Sequence, residues 1–325
     1  MKGLVTVFGG SGFVGSQIVR ALARRGFRLR VAVRRPGRGY RLPMLGDVGQ
    51  IEIVQANIRD EASVSRAMAG AEGCVNAVGV LYESGRQNFA NLHVEGARRV
   101  ALAAKARGVR RFVHLSALGA DPRSAASYAR SKAAGEMAAR EAIAEAVILR
   151  PSVVFGPGDH FFNRFAAMAQ VSPALPLIGG GQTLFQPVFV GDVAAAVGQA
   201  LEDPLAAGRS YELGGPTVYS FRDLTELLLK EIRRSRALVP IPFAAARLLG
   251  LAGDMLAAAT PFAPPITSDQ VEMLSTDNVV SPEAPGLAEL GVAASALEPI
   301  VATYLYRYRR GGQYADSAAA VARRG

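Results

Sequence analysis

Val5-Thr6-Val7-Phe8-Gly9-Gly10-Ser11-Gly12-Phe13-Val14-Gly15 decides the reading of this chain. A short apolar strand runs into glycines spaced G-x-x-G-x-x-G, and an apolar-periodic helix follows. Each glycine has its own reason. Gly9 permits the tight turn off the strand, Gly12 has no Cβ to hold the backbone away from phosphates, and Gly15 lets the helix pack close on the sheet. The helix start offers unpaired N–H groups and the positive end of its dipole. The stretch from Gly9 through Gly10, Ser11, Gly12, Phe13 and Val14 to Gly15 therefore reads as a seat for a dinucleotide pyrophosphate. The plainer alternative is a glycine-rich turn.

Outward from this loop, strand and helix patterns alternate. Strands are predicted at Leu4–Phe8, Leu29–Val33, Ile51–Gln55, Gly73–Asn76, Arg111–Leu115 and Ala146–Leu149. Helices are predicted between them at Phe13–Arg25, Glu61–Met68, Phe89–Arg107 and Ser127–Ile143. Such alternation implies right-handed βαβ units. The expected class is α/β, a doubly wound parallel Rossmann sheet with a smaller, mostly helical C-terminal substrate-side lobe. Residues 1–156 are expected to form the dinucleotide-binding domain, with 183–235 adding a further strand and helix. The lobe is expected from 157–182 and 236–308, and a basic flexible tail from 309–325. Later elements read as a strand Phe185–Val190, Asp192 capping a helix Val193–Leu201, a strand Ser210–Leu213, and Ser220 capping a helix Phe221–Arg233. Helical patterns recur at Phe243–Ala259, Ser268–Leu274 and Ser295–Tyr308.

Composition narrows the function classes. The chain has 325 residues, half of them hydrophobic and 20% charged, enough to bury a large core. A lone cysteine, Cys74, sits in an apolar run and excludes an internal disulfide framework. Three histidines with no ligand spacing predict no metal site. The net charge of +10 admits anionic partners without choosing among them. No RNA-reading signature appears and Trp is absent, so nucleic acid is disfavoured. Met1-Lys2-Gly3 enters the first strand at once, which predicts no leader and a cytoplasmic protein, or one peripheral on the cytosolic face of the inner membrane. The uncharged run Phe165–Gly191 is broken by prolines and glycines and is not a spanning helix.

The cofactor side can be read further. Where a carboxylate would hold a ribose hydroxyl, the second strand ends in Arg34-Arg35. Guanidinium groups grip a 2′-phosphate, so NADP(H) is favoured over NAD(H), against the alternative of a basic surface turn. Asn57-Ile58 past the third strand is placed beside the adenine, and Ala77-Val78-Gly79 past the fourth along the cofactor, or both are strand-end turns. Tyr128 and Lys132 lie one helical turn apart. A nearby ammonium lowers a tyrosine pKa, and such a phenol exchanges a proton at a carbonyl while hydride moves. Ser116, ending the fifth strand, is the candidate to polarise that carbonyl. The alternative for the pair is a partly exposed helix face.

Gly9, Gly12, Gly15 and Tyr128-x-x-x-Lys132 resemble the short-chain dehydrogenase/reductase superfamily in its extended or atypical (epimerase/dehydratase) branch. Tyr128 to Glu136, Arg150-Pro151-Ser152-Val153-Val154-Phe155-Gly156 and Asp159 to Phe165 are similar to the NADPH-binding accessory subunits of respiratory complex I and their bacterial relatives, and Gln270 to Val280, with Thr276-Asp277-Asn278-Val279-Val280, is similar to the bacterial members. That resemblance spans the chain to about Tyr308 and implies that Pro151 and Val153 also line the nucleotide. It implies a tightly held nicotinamide dinucleotide, complex I or quinone-linked membrane partners, and an accessory or assembly role. The competing implication is a soluble NADP(H)-dependent oxidoreductase or isomerase acting on a carbonyl, as in ubiquinone biosynthesis. Two departures stand out: Asn57 replaces the usual acidic residue, and the interval from Ser116 to Tyr128 is short.

Overall fold

A computed structural model describes residues 2–259, 264 and 266–314. The chain runs β1 (Lys2–Phe8), α1 (Phe13–Arg24), β2 (Phe27–Val33), β3 (Ile51–Gln55), α2 (Glu61–Ala67), β4 (Gly73–Asn76), α3 (Glu95–Ala106), β5 (Arg111–Leu115), α4 (Ser127–Ala142) and β6 (Val147–Pro151). It continues through β7 (Val154–Phe155), α5 (Phe162–Val171), β8 (Ala174–Ile178), β9 (Leu184–Phe185), β10 (Val188–Phe189), α6 (Val190–Glu202) and β11 (Ser210–Leu213). Last come β12 (Tyr219–Ser220), α7 (Phe221–Glu231), β13 (Ala237–Ile241), α8 (Phe243–Ala259), α9 (Ser268–Met273) and α10 (Leu297–Leu305).

The central sheet has seven strands in the order β3-β2-β1-β4-β5-β6-β11, every pairing parallel. This is the expected Rossmann arrangement. Strand order reverses between β1 and β4, so a crevice opens at their carboxyl ends. Side-chain alternation divides the core into two layers. Val5 and Val7 face α1 and α6, where Ile18, Val19, Leu22, Val193 and Val197 are buried. Phe8, Cys74, Phe112 and Ile148 face α2, α3 and α4. Full burial of each such aliphatic side chain contributes roughly 1.5–3 kcal/mol. The layer position explains Cys74: it is packing, and burial drives its thiol pKa up.

A third cluster, built on Phe155, Phe162, Phe221, Leu224 and Val301, forms a lobe beyond β6. Segment 183–235 divides between the two parts. Helix α6 and β11 join the Rossmann core, while β9, β12 and α7 pack into the lobe.

Several local expectations are corrected. Phe185–Val190 is not one strand: Pro187 separates β9, which pairs with β12, from β10, which pairs with β7. Asp192 does not cap its helix. The helix begins earlier, at Val190, and the Asp192 carboxylate accepts from the Ser295 amide (2.7 Å) and hydroxyl (2.9 Å), holding the start of α10's segment. Ser295–Tyr308 shortens to α10 plus a 3-10 turn at Tyr306–Tyr308. Phe89–Arg107 is interrupted by a π turn at Ala90–Val94, which precedes α3. Ser220 does cap α7, in a reciprocal capping box with Asp223. The ribbon of β8 and β13 escapes a sequence reading because Pro176 and Pro240 sit inside it. A two-stranded ribbon has only edges, where proline's missing N–H costs no ladder bond. At the tail, Arg309 is anchored to the Glu231 carbonyl (2.7 Å), and 315–325 lie outside the described residues.

Candidate nucleotide crevice and active site

The loop after β1 closes on itself. Gly9 has φ +80°, and the Gly12 amide donates to its carbonyl at 3.0 Å. A Cβ on Gly9 would lie 2.7 Å from the Ala77 carbonyl oxygen, and one on Gly15 would drive into the Gly9 carbonyl. The glycine at 15 is thus required first by the loop's own main chain, which refines the helix-on-sheet reason. Gly10 is buried against Val31, Ser11 is exposed, and Phe13 and Val14 are half-buried. Gly12 stands at the N-cap of α1 with no side chain bonded across it and no acidic residue in the first turn. The helix start is therefore electrostatically open to an anion.

From there the candidate residues continue across the strand-order switch. The Ala77 amide donates to Phe8 O at 3.0 Å, and Val78 N–H bonds to the Asn76 side chain at 3.3 Å. A Cβ on Gly79 would lie 3.4 Å from Lys132 Nζ and 3.7 Å from His93 Nε2. Lys132 Nζ also donates to Leu115 O (3.2 Å), at the end of β5 beside Ser116. It stands 5.9 Å from the Tyr128 ring centroid. Glycine loop, Ala77–Gly79 segment and Tyr128/Lys132 pair are thereby contiguous. The Ser116 hydroxyl is buried with no hydrogen-bond partner among the described residues, as is His114 Nε2. Burying such groups unpaired costs about 1–3 kcal/mol each, which suits atoms awaiting a ligand or water.

The pair is not the exposed helix face of the alternative reading: Tyr128 and Lys132 are both buried. Burial pulls Lys132 down to about 8, against the opposing pull of Glu136. The tyrosine departs from expectation. Burial, then the Asp269 carboxylate, hold its pKa above the ordinary range instead of below it. Asp269, which sequence reading missed, belongs to α9. Its two oxygens accept from the amides of Ser127 (2.5 Å) and Tyr128 (3.0 Å). Helix α4 has Ala126 at its N-cap and no capping side chain of its own, so the lobe supplies the cap from far along the chain.

His93 was missed as well. It sits in the π turn, where its Nε2 accepts from the Val80 amide (3.0 Å). The ring proton is therefore on Nδ1, 2.8 Å from Ser131 Oγ, which in turn donates to Tyr128 O (2.7 Å). Its ring stacks on Phe89 and meets Tyr128 edge-on. Burial, then Lys132, lower His93 to about 2 and His114 to about 3.

The remaining candidates divide. Arg34 and Arg35 are exposed past β2, with Arg34 Nη1 bonded to Gln87 Oε1 at 2.9 Å. Asn57 Oδ1 accepts from the amide (3.2 Å) and Nε (3.4 Å) of Arg59, which is turn chemistry. Ile58 is buried in the core, packed against Gly96. Pro151 and Val153 flank the end of β6: Pro151 O accepts from Leu118 N, and Val153 O from Val188 N. Ser152 Oγ is fixed by Asn278 Oδ1 at 2.7 Å, which ties the Thr276–Val280 segment to the crevice wall. Among the described residues no cluster of His, Cys, Asp and Glu suits a metal ion.

Gly15→Ala is expected to weaken nucleotide binding at least tenfold in a fluorescence titration, because the methyl and the Gly9 carbonyl claim the same space. Acid should also destabilise the fold in a defined window. The histidines titrate near 6.5 when unfolded but at about 2 and about 3 when folded. The unfolded chain therefore takes up protons first, and stability falls as pH drops below about 6.5, by roughly 1.4 kcal/mol per pH unit for each histidine. Urea midpoints against pH are the measurement, and His93→Asn should flatten the slope.

The comparisons with known proteins agree with this geometry. The NAD dependent epimerase/dehydratase family matches residues 5–214. The chain is 36% identical over 320 residues to the mitochondrial NADH dehydrogenase (ubiquinone) 1 alpha subcomplex subunit 9 of Arabidopsis thaliana, covering 96% of this chain and 80% of that one. The Mus musculus counterpart is 33% identical, over 94% of this chain and 80% of its own length. Among solved structures, the Escherichia coli NADPH-dependent quinone oxidoreductase QOR2 complexed with NADPH superposes with a TM-score of 0.70 at 22% identity, covering 93% of this chain and 99% of that one. That last likeness speaks to the fold alone, which is an NAD(P)-binding one. Glycine loop, switch-point crevice and sequence similarity converge: the chain belongs to the NAD dependent epimerase/dehydratase family.

Proposed function

We propose that this chain is a nucleotide-holding accessory component of respiratory complex I, seated peripherally at the membrane and retaining NADP(H). The observation that carries the reading is similarity over nearly its whole length to two proteins named as subunits of that complex. Among the described residues no helix is long and apolar enough to cross a membrane, which accords with a peripheral seat.

The residues fit a bound dinucleotide. Gly9 and Gly15 let the loop close on itself, Gly12 leaves the backbone bare at the helix N-cap, and the open start of α1 would receive the diphosphate. Arg34 and Arg35 offer guanidinium charge where a 2′-phosphate would lie. Lys132 and Ala77–Gly79 line the nicotinamide half. A bound nicotinamide supplies hydride chemistry.

The second reading, a carbonyl oxidoreductase or isomerase, is favoured by the buried Tyr128/Lys132 pair and the unpartnered Ser116 hydroxyl. In it Tyr128 gives or takes the proton at the substrate oxygen, Lys132 holds the ribose, and Ser116 donates to the same oxygen. The raised tyrosine pKa weighs against this role, because a general acid–base group works best when its pKa lies near the operating pH.

Purification without added nucleotide should yield a chain that carries NADP(H). Arg34→Glu with Arg35→Glu should lower NADPH affinity by at least about two orders of magnitude and spare NADH, in parallel titrations. This follows from loss of two charge-assisted contacts, each worth about 1.5–3 kcal/mol. Tyr128→Phe should leave nucleotide retention and respiratory-complex assembly unchanged on native gels. Carbonyl turnover by the parent that is lost in that variant, with nucleotide still bound, would favour the catalytic reading.

A further inference from the structure

Helix α8 is built the wrong way round for a helix inside a lobe. Ala246, Gly250 and Gly253 face inward. Ala246 is buried, a Cβ on Gly250 would lie 2.7 Å from Ser268 Cα, and one on Gly253 would drive into the Ile266 carbonyl. Its large apolar residues face outward: Leu248 is 70% exposed, Leu249 53%, Leu251 55% and Met255 74%. At 100° per residue these side chains span an arc of about 160°, with Ala252 inside it. No charged residue interrupts the arc. Arg247 and Asp254 lie outside the arc, where the exposed Arg247 pairs with Glu272 (3.4 Å) and the half-buried Asp254 accepts from the Ser268 amide (3.2 Å). The apolar strip continues backward through exposed Val239 and Pro240 of β13.

Just ahead of β13 the charge changes. Lys230, Arg233, Arg234 and Arg236 line a shallow depression of about 490 Å³, with Glu226 the acidic residue among them. Arg234 and Arg236 spend their Nε donors on the backbone carbonyls of Tyr308 (3.2 Å) and Ala169 (2.8 Å), which leaves their charge undiminished.

We infer that α8 is an interfacial helix that lies on an anionic lipid surface, its Leu248/Leu251/Met255 face in the acyl boundary and the Lys230–Arg236 cluster on the headgroups. Three features select a bilayer over a protein partner. The outward face presents no side-chain hydrogen-bonding group for a partner to read. It lacks the aromatic and arginine anchors that dominate protein interfaces. The basic cluster one strand upstream complements anionic headgroups, each cation near such a surface adding about fivefold to binding. The 17-residue helix is about 25 Å long, too short to span and long enough to lie flat. This inference does not rest on the accessory-subunit reading, because neither the nucleotide nor complex I enters it.

The test is co-sedimentation of the full chain with phosphatidylcholine vesicles and with vesicles that also contain phosphatidylglycerol. The parent should sediment with the anionic vesicles and be released by salt. Leu248→Gln with Met255→Gln should lower that binding by at least about tenfold, as expected for withdrawing two large apolar side chains from the interface. Both positions are exposed, so the variant's thermal transition and nucleotide affinity should equal the parent's. Lys230→Glu should weaken binding to anionic vesicles only. A parent that stays in the supernatant with anionic vesicles overturns the inference, as does a double variant that sediments like the parent. Concentration-dependent dimerisation abolished by the double variant would assign the face to a second copy and equally overturn it.

Discussion

The close approach of Gly9 and Gly15 is the constraint on which the rest of the molecule depends. The loop can fold back over the end of β1 only because position 15 has no side chain to meet the Gly9 carbonyl, and because Gly9 takes a positive φ beside Ala77. That closure aims the first amides of α1 at the point where strand order reverses. Main-chain donors, a helix dipole and a crevice then coincide, which is the arrangement an extended diphosphate needs. The Ala77–Gly79 segment, Lys132 and Tyr128 follow in contact from this point.

The lobe is not a passive addition to that crevice. Helix α4 begins on an alanine and would leave its first amides bare, yet Asp269 bonds two of them. The same short helix, α9, receives the packing of α8 through Gly250 at Ser268. The outward-facing helix is therefore mechanically connected to the helix that carries Tyr128. Burial, and after it the Asp269 carboxylate, raise the tyrosine pKa, so the contact that organises the helix adds to the effect of burial at its first turn.

The Rossmann elements were legible because local chemistry and global packing agree there. Val5 and Val7 alternate with Thr6 and Phe8, a period that only a two-faced strand satisfies. Ser220 with Asp223 announces the start of α7 in four residues. The misreadings fall where distant partners override a local signal. Asp192 looks like a cap, but its carboxylate is claimed by Ser295, and the helix starts two residues earlier. Pro176 and Pro240 argue against strands that an edge ribbon tolerates. His93 gives no signal in sequence, since a lone histidine in a helical pattern says nothing of the Val80 amide and the Ser131 hydroxyl that lock its tautomer.

The amino-acid sequence by itself determined the sheet, the glycine loop, the basic end of β2 and the one-turn spacing of Tyr128 and Lys132. Each of these is a short-range pattern, set by steric freedom at glycine or by the repeat of a helix or strand. Only the tertiary structure decided the protonation landscape and the surface. Burial depth pulls Lys132 down and holds Tyr128 up, Asp269 reaches α4 from the far end of the chain, and α8 turns its leucines outward. These are consequences of what surrounds a side chain, and surroundings are assembled from residues far apart in sequence.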